Sequence, residues 1–513
     1  MKKVLLLLAL CASFTMVAQE TMPVRGIFAT KLAVVFDGEN NTFTFMFHSN
    51  MDATEGSLVF YDENTGDLVG ALELNDVKEG PNVFSFPTAE IPGQYEQRMN
   101  WGVTLGADPV TEFALVDEPY NNNFTYTFNT VDNNPESDFF GRIYVGHRPG
   151  TADANNGLWM FEPDFVSINE EVIKTRSDGL GFRSNFRLAI DSEGKVYMPD
   201  WGDPTSGVYV FDPANQSDGF KEFFRNDDGS SLTRNSDGLL TNAAGEAVAG
   251  SSPGVAISGM GADTKLYVYN EDVKVNASAS GNNVSVYNIG DTESIMDHWN
   301  QPASQIFAIG PWQANGNGNI VPDEAHNGIW VSQVRAKNQN NTRVPSLIFV
   351  NNEGDVVYNS GNQSDILNGS QGAGFAITRD GQQIAISDGD SNISFFDITW
   401  NEGVPSLTFS KQFAPTAGIA QSNGRILQMN FDYGGNLILS GAKVGLFSVP
   451  TEKNQNYVPA KKDQVVKKND IHDGVTTITA KTKSGVRYNL MGQPVDENYK
   501  GIVIQDGKKF IQK

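Results

Sequence analysis

The stretch GKVYMPDWGDPTSGVYVFDP, residues 194–213, decides the fold. Two short runs rich in Val, Tyr and Phe flank a polar loop that carries Trp201 between Asp200 and Asp203. β-Branched and aromatic residues on either side of Gly, Asp and Pro mark two strands joined by a turn. The same pattern stands upstream at residues 141–163, GRIYVGHRPGTADANNGLWMFEP. Each copy opens with Gly, a cation, a β-branched residue and Tyr. Each closes with Gly, apolar, aromatic, apolar, Phe, acid and Pro. Looser copies occupy residues 265–289, 328–351, 383–398 and 436–450. The aromatic of the closing run falls at Phe161, Phe211, Tyr287, Phe349, Phe396 and Phe447.

Most copies are preceded by another apolar run and turn (FRLAIDSEG, PGVAISGMG, GFAITRDG). Most are followed by a fourth run (KEFFR, QIFAIG, DVVYN). Four short strands per unit, recurring about every fifty residues, is the pattern of β-propeller blades. The expected propeller spans residues 138–450 with six blades, or seven if the polar insert at 226–252 hides another. In these features the segment resembles the secreted bacterial β-propellers. It holds no Gly-His…Trp-Asp pair in register, which sets it apart from a standard WD40 array.

Upstream, residues 19–135 alternate apolar and polar positions in short runs such as TFTFMF, GSLVFYD, NWGVTL and FTYTF, broken by Asp-Gly and Thr-Gly turns. That is the signature of an antiparallel β-sandwich. KEGPNVFSFP followed by IPGQYEQRMNWGVTL resembles the Ig-like modules of bacterial surface proteins. Lys2 and Lys3, the apolar run 4–10 and the small residues up to Ala18 read as a secretion signal over residues 1–18. The run is much shorter than the ~20 residues a membrane span needs, and no later segment is apolar enough to cross a bilayer. A Lys-rich linker is expected at 451–470. The tail, 471–513, contains NLMGQPV, YKGIVI and a DGKK turn. It resembles the C-terminal segments of secreted Bacteroidota proteins, including type IX sorting modules. That resemblance implies a small β tail for sorting or anchoring, and an exported or cell-surface location, with the periplasm the alternative.

Composition narrows the chemistry. The only cysteine is Cys11, inside the expected signal, so a mature chain has no disulfide, thiolate ligand or cysteine nucleophile. The net charge of −24 repels phosphate backbones and argues against a nucleic-acid partner. The five histidines have no zinc-chelating spacing, and no cofactor is expected. GSSPG at 250–254 has the letters of a nucleophile elbow, but Pro253 and the strand that follows replace the helix such an elbow needs. Asp388, Asp390 and Asn392 have the alternation that opens a calcium loop, a weak structural Ca²⁺ candidate, yet Ile393 stands where glycine is required.

In a propeller, the loop between the second and third strands opens on the same face as the loop that enters the next blade. That face is the usual binding surface. It is expected to carry the candidate ligand residues His147, Arg148, Arg183, Trp201, Asp203, Trp312, Arg335, Asp388 and Lys443. Acids, amides and cations around a tryptophan suit a glycan or a polar surface protein. Three functions remain open at this point: a secreted binding protein, a polysaccharide lyase or glycoside hydrolase using acids at the channel mouth, and a purely structural surface protein.

Overall fold

The structure is a computed structural model. It describes residues 26–513 except 118–125, 149–156, 169–172, 174–186, 202–205, 237, 251, 253, 271–282, 292–294, 310–317, 333–344, 363–373, 388–391, 416–417, 421–423, 452–453, 462–464, 468–486, 490–493, 506–507 and 513. Among the described residues there are strands and short 3₁₀ turns, and no α-helix. None forms a helix long and apolar enough to cross a membrane.

The first unit is a pair of sheets around one core. Strands Ala29–Asp37, Thr42–Ser49 and Gly80–Pro87 make one sheet. Glu55–Asp62, Leu68–Glu73 and Arg98–Ala107 make most of the other. Alternation puts Phe43, Phe45 and Phe47 on the inner face of the first sheet. They meet Leu58, Phe60, Trp101, Val103 and Leu105 of the second. The ring of Phe45 stands edge-on to Trp101 at 4.9 Å, a geometry favoured by the ring quadrupoles.

Six further sheets follow, the arrangement of a β-propeller. The first holds Tyr126–Val131, Ile143–Arg148 and Gly157–Phe161. The second holds Ala189–Ile190, Val196–Asp200, Gly207–Phe211 and Phe220–Glu222. The third runs Gly254–Ser258, Lys265–Asn270, Asn283–Asn288 and Gln305–Ala308. The fourth runs Ile320–Asp323, Gly328–Ser332, Leu347–Asn351 and Val356–Asn359. The fifth has Phe375–Ile377, Gln383–Ser387, Ile393–Asn401 and Val404–Phe413. The sixth has Gln428–Phe431, Leu437–Ser440 and Val444–Ser448, and its outermost strand is Ala114–Asp117, from before the ring. A separate apolar cluster fills each space between consecutive sheets, including the space between sixth and first. The ring is therefore closed by packing as well as by the borrowed strand.

One repeated contact explains the Gly-cation-β-branched-Tyr pattern. At the turn between first and second strands, the equivalent positions are Asp132, Asp191, Ser258, Asp323, Thr378 and Asp432. At all but Ser258 the side-chain oxygen accepts a turn amide: Lys195 N–H donates to Asp191 at 2.9 Å, Gln383 N–H to Thr378 at 3.0 Å and Asn436 N–H to Asp432 at 2.8 Å. The aromatic of the second strand can reach back to this cap. Trp330 Nε1 donates to Asp323 at 3.2 Å, and Ser258 Oγ meets Tyr267 OH at 3.4 Å. The glycine before each cation is forced by the turn. Gly141 and Gly194 have φ of 81° and 85°, and a Cβ on either would lie 2.5 Å from Thr30 or Phe139. Trp330 is fully buried, as its place in the repeat requires.

Strand pairing departs from the expected boundaries in three places. The described part of FTYTF, from Tyr126 on, belongs to the ring and not to the sandwich: Tyr126–Val131 is the first strand of the first sheet, and Ala114–Asp117 closes the sixth. Alternation marks a strand without saying which sheet it joins. Residues 451–470 are not a free linker. Asn454–Pro459 and Val465–Val466 both pair with Arg98–Ala107 and complete the sandwich's second sheet. The insert at 226–252 forms a small sheet of Thr233–Arg234, Leu240–Thr241 and Ala247–Ala249. Its Leu240 and Val248 pack into the cluster between second and third ring sheets, whose first strands still lie against each other. The tail carries its own sheet of Arg487–Asn489, Pro494–Val495, Gly501–Gln505 and Lys508–Gln512. The expected signal, residues 1–18, lies outside the described residues.

The chain thus leaves the sandwich, builds the ring and returns to the sandwich. The two units meet at the turn end of the first and sixth sheets. Phe28 of the sandwich packs on Phe140 and Tyr433, whose rings lie edge-on at 4.8 Å. Lys461 pairs with Asp138 at 2.6 Å, and Lys31 pairs with Glu162. His48 Nε2 and Asp164 Oδ2 lie 2.9 Å apart in a buried contact. Burial alone would raise the Asp164 carboxyl, but the His48 bond and charge hold it below the usual carboxylate range.

Candidate functional site

The loop end of the ring, opposite the sandwich, is built differently. Its strand ends bury small polar residues rather than aromatics. Asn129, Asp200, Asn270, Asn283, Ser285, Ser332, Ser387 and Ser440 are all fully buried there. Asn129, Asn270, Asn283, Ser285, Ser332 and Ser440 bond one another or nearby backbone, as buried polar groups must. Asn270 Nδ2 donates to Ser285 Oγ at 3.0 Å and to Asn283 Oδ1 at 3.1 Å. Asn129 Nδ2 donates to Ser440 Oγ at 2.7 Å. Thr127 Oγ1 donates to the Lys443 carbonyl at 2.9 Å.

The axis is spanned at this level. Arg187, on the segment entering the second sheet, is fully buried, and its Nε donates to the Leu427 carbonyl beside the sixth sheet at 3.2 Å. Gln428 Nε2 donates to the Leu188 carbonyl at 2.8 Å, and Leu188 N–H returns a bond to Gln428 Oε1 at 3.1 Å. The second and sixth sheets are not ring neighbours, so these bonds cross the channel. Arg187 and Gln428 were not among the residues singled out from sequence. The available signal was a cation inside the otherwise apolar run FRLAI.

Three of the expected ligand residues have described side chains. Trp201 is half-buried at the foot of its loop, packed beside the cluster of Phe128, Tyr144, Leu188 and Tyr209. Lys443 sits, partly exposed, in the tight turn before Val444–Ser448. His147 is 3% exposed near the end of a strand. It belongs to the polar layer and is not displayed on the loop, because strand pairing with Gly157 and Thr127 continues through it. Arg148 ends the same strand. Arg183, Asp203, Trp312, Arg335 and Asp388 lie outside the described residues, as does Asp390 of the calcium candidate. Asn392, its third member, is partly buried just before Ile393–Asn401. Among the described residues no three His, Cys, Asp or Glu side chains are placed to hold a metal.

Perturbed acids do occur, at the other end. Burial pushes Asp191 and Asp432 up to about 7 and Asp132 up to about 6. A raised carboxyl in a cleft is a usual sign of acid–base chemistry. Here all three occupy the turn-capping position, with Oδ1 committed to turn amides. Desolvation inside a packed turn accounts for the shift without a reaction.

The fold places the chain among all-β propeller proteins. No family model and no curated protein matches the sequence. Solved structures do align. A Bacteroides thetaiotaomicron protein of unknown function aligns at 12% identity over 83% of this chain and 99% of its own, TM-score 0.39. Streptogramin B lyase aligns at 13% over 66% and 97%, TM-score 0.36. The extracellular domain of a putative hybrid two-component system from B. thetaiotaomicron aligns at 12% over 83% and 59%, TM-score 0.35. At such scores no function is carried across, and the fold assignment stands on this chain's own strand order.

Proposed function

We propose that the chain is an exported six-bladed propeller with an Ig-like sandwich. On this reading it works as a non-catalytic binding protein that engages a glycan through the loop end of the ring. The observation that carries the reading is the asymmetry of the two ends. The sandwich sits on the turn end at the first and sixth sheets, and the raised acids there are spent on turns. The loop end offers a layer of buried polar side chains with a half-buried indole beside it. A preorganised polar floor with one aromatic wall suits a ligand that presents both hydroxyls and C–H faces. The raised acids cap separate turns, whereas a glycosidase needs two carboxylates about 5–10 Å apart across one cleft. The tail sheet would then serve sorting or anchoring. The test is a glycan array, paired with a pull-down of surface proteins, using the intact chain and Trp201→Ala. Glycan hits that fade in the variant support the reading. Hits confined to proteins make the ligand a surface protein, turnover of a glycan hit makes the chain an enzyme, and no hit of either kind leaves the structural reading.

A further inference from the structure

We propose that the sandwich is a hinged cap on the ring and that its seat is a pH-sensitive joint, closed in acid solution and loosened toward neutral pH. Among the described residues the chain passes between the two units at two places, 107–114 and 448–454. The crossings lie side by side. Thr451 N–H donates to the Val110 carbonyl at 2.8 Å, and Asn454 Nδ2 to the Asp108 carbonyl at 2.9 Å. Both enter the outer half of the sixth sheet, where Val444–Ser448 pairs with Ala114–Asp117. Two short adjacent crossings at one edge can bend as a hinge. The seat is made elsewhere. Residues 26–30 of the sandwich lie across turn 432–436 of the sixth sheet and turn 132–141 of the first. Gly26 N–H donates to the Gly434 carbonyl, and Asn436 Nδ2 donates to the Gly26 carbonyl at 3.0 Å. A Cβ on Gly434 would strike the Gly26 carbonyl, and one on Gly141 would strike Thr30.

Under this cover lie the capping acids of both turns, Asp432 at 3% and Asp132 at 1% exposure. Asp132 Oδ2 makes no hydrogen bond, and the charged groups facing this acid are Arg142 and Lys461. Asp432 bonds Asn436 and turn amides, none of them charged. A carboxylate so placed is costly, and burial pushes Asp132 up to about 6 and Asp432 to about 7, against 3.8 for the free group. Lifting the cap readmits water and relieves that cost, so the closed form holds the two protons more tightly than the open one. Its advantage is full below about pH 4 and is lost as pH rises through 6 and 7. The buried pair His48–Asp164 has the opposite sign. It holds Asp164 below the usual carboxylate range, so its contribution is constant above that range and lost only in stronger acid. Asp52, Glu79 and Asp117 also face this pair, and burial raises Glu79, which acts with the two caps. The other charged contacts of the seat are the partly exposed pairs Lys31–Glu162 and Lys461–Asp138.

The experiment is pulsed electron paramagnetic resonance on the full chain from pH 4 to pH 8, with a thermal melt at each pH. The only cysteine is replaced by Cys11→Ser. One spin label goes on the sandwich at Thr65→Cys and one on the ring at Glu353→Cys, both exposed positions. A second pair within the ring, Ala244→Cys with Glu353→Cys, is the control. Each proton released on opening favours the open form about tenfold per pH unit. The ratio of open to closed distances is therefore expected to rise at least tenfold between pH 5 and pH 7 and to level off above pH 7, while the control distance stays fixed. Asp191→Asn should keep the rise, because the turn it caps packs on residues 134–139 and not on the sandwich. The double variant Asp132→Asn with Asp432→Asn, neutral at both caps, should lose most of it. Where the double variant does not melt cooperatively, each single variant is expected to lose part of the rise. A single distance at every pH overturns the inference. So does a rise that the Asp132 and Asp432 variants keep, which would put the switch at His48–Asp164, or a rise shared by the control pair, which would make it a loosening of the ring itself.

Discussion

The two ends of the ring use buried polar groups for opposite purposes. At the turn end, a single carboxylate or hydroxyl caps the tight turn in five of the six sheets, and Trp330 and Tyr267 reach back to this position in two of them. At the loop end, amides and hydroxyls bond one another in local groups, and an arginine and a glutamine cross the axis. The first arrangement is periodic and local, so it was written into the sequence as a repeat. The second joins strands far apart in the chain and has no periodic signature. The difference teaches that an acid in this protein is informative only once its end of the sheet is known. The strongly raised carboxyls belong to the end that holds the ring together.

The comparison can be broken most forcefully at the turn end. Truncation after Pro450 removes both strands that return to the sandwich, including the fully buried Val458 and Val465. Those two side chains alone account for about 3–6 kcal/mol of burial. The truncated chain is expected to lose the cooperative melt of the sandwich, whereas truncation after Lys467, which spares both strands, should keep it. Differential scanning calorimetry separates the two. Within the ring, Trp330→Ala should cost about 3–5 kcal/mol, as for a large buried aromatic, measured by denaturant unfolding.

Smaller effects sharpen the contrast. Asp191→Ala leaves the Glu193 and Lys195 amides without their acceptor and should cost about 1–3 kcal/mol. Asp191→Asn keeps an acceptor and removes a charge. The Asp191 carboxyl titrates at about 7 in the folded chain against 3.8 for the free group. The folded state therefore holds the proton more tightly. This group's contribution to stability is full below about pH 4 and is lost as pH rises through 7. Asp191→Asn should accordingly gain on the wild type between pH 4 and pH 8 in melts run side by side. A constant difference across that range would mean that the cap is ionised throughout.

Much of the ring was legible in the sequence because its strands alternate and its turns repeat. GKVY and GRIY located two of the turns to the residue. What escaped was long-range pairing. NQNYVP and the Val-Val of a Lys-rich stretch look like linker until Arg98–Ala107, more than 340 residues earlier, supplies their partner. FTYTF reads as one more sandwich strand for the same reason. His147 seemed to belong to a loop, but strand pairing extends through it and buries the ring. Trp201, read as a loop residue because the unequal loops of the two best copies leave it without a counterpart, stands at the foot of its loop and packs beside an apolar cluster.

The central claim, that the loop end is the binding face, rests most directly on Trp201. The decisive measurement is a pair of curves for Trp201→Ala: a titration with the best glycan from the array and a thermal melt. The account predicts binding weakened by about 1–3 kcal/mol, as for a lost aromatic anchor, with a melt close to wild type. Undiminished binding, or a stability loss of about 3–5 kcal/mol as for a core aromatic, would contradict it and make Trp201 a packing residue.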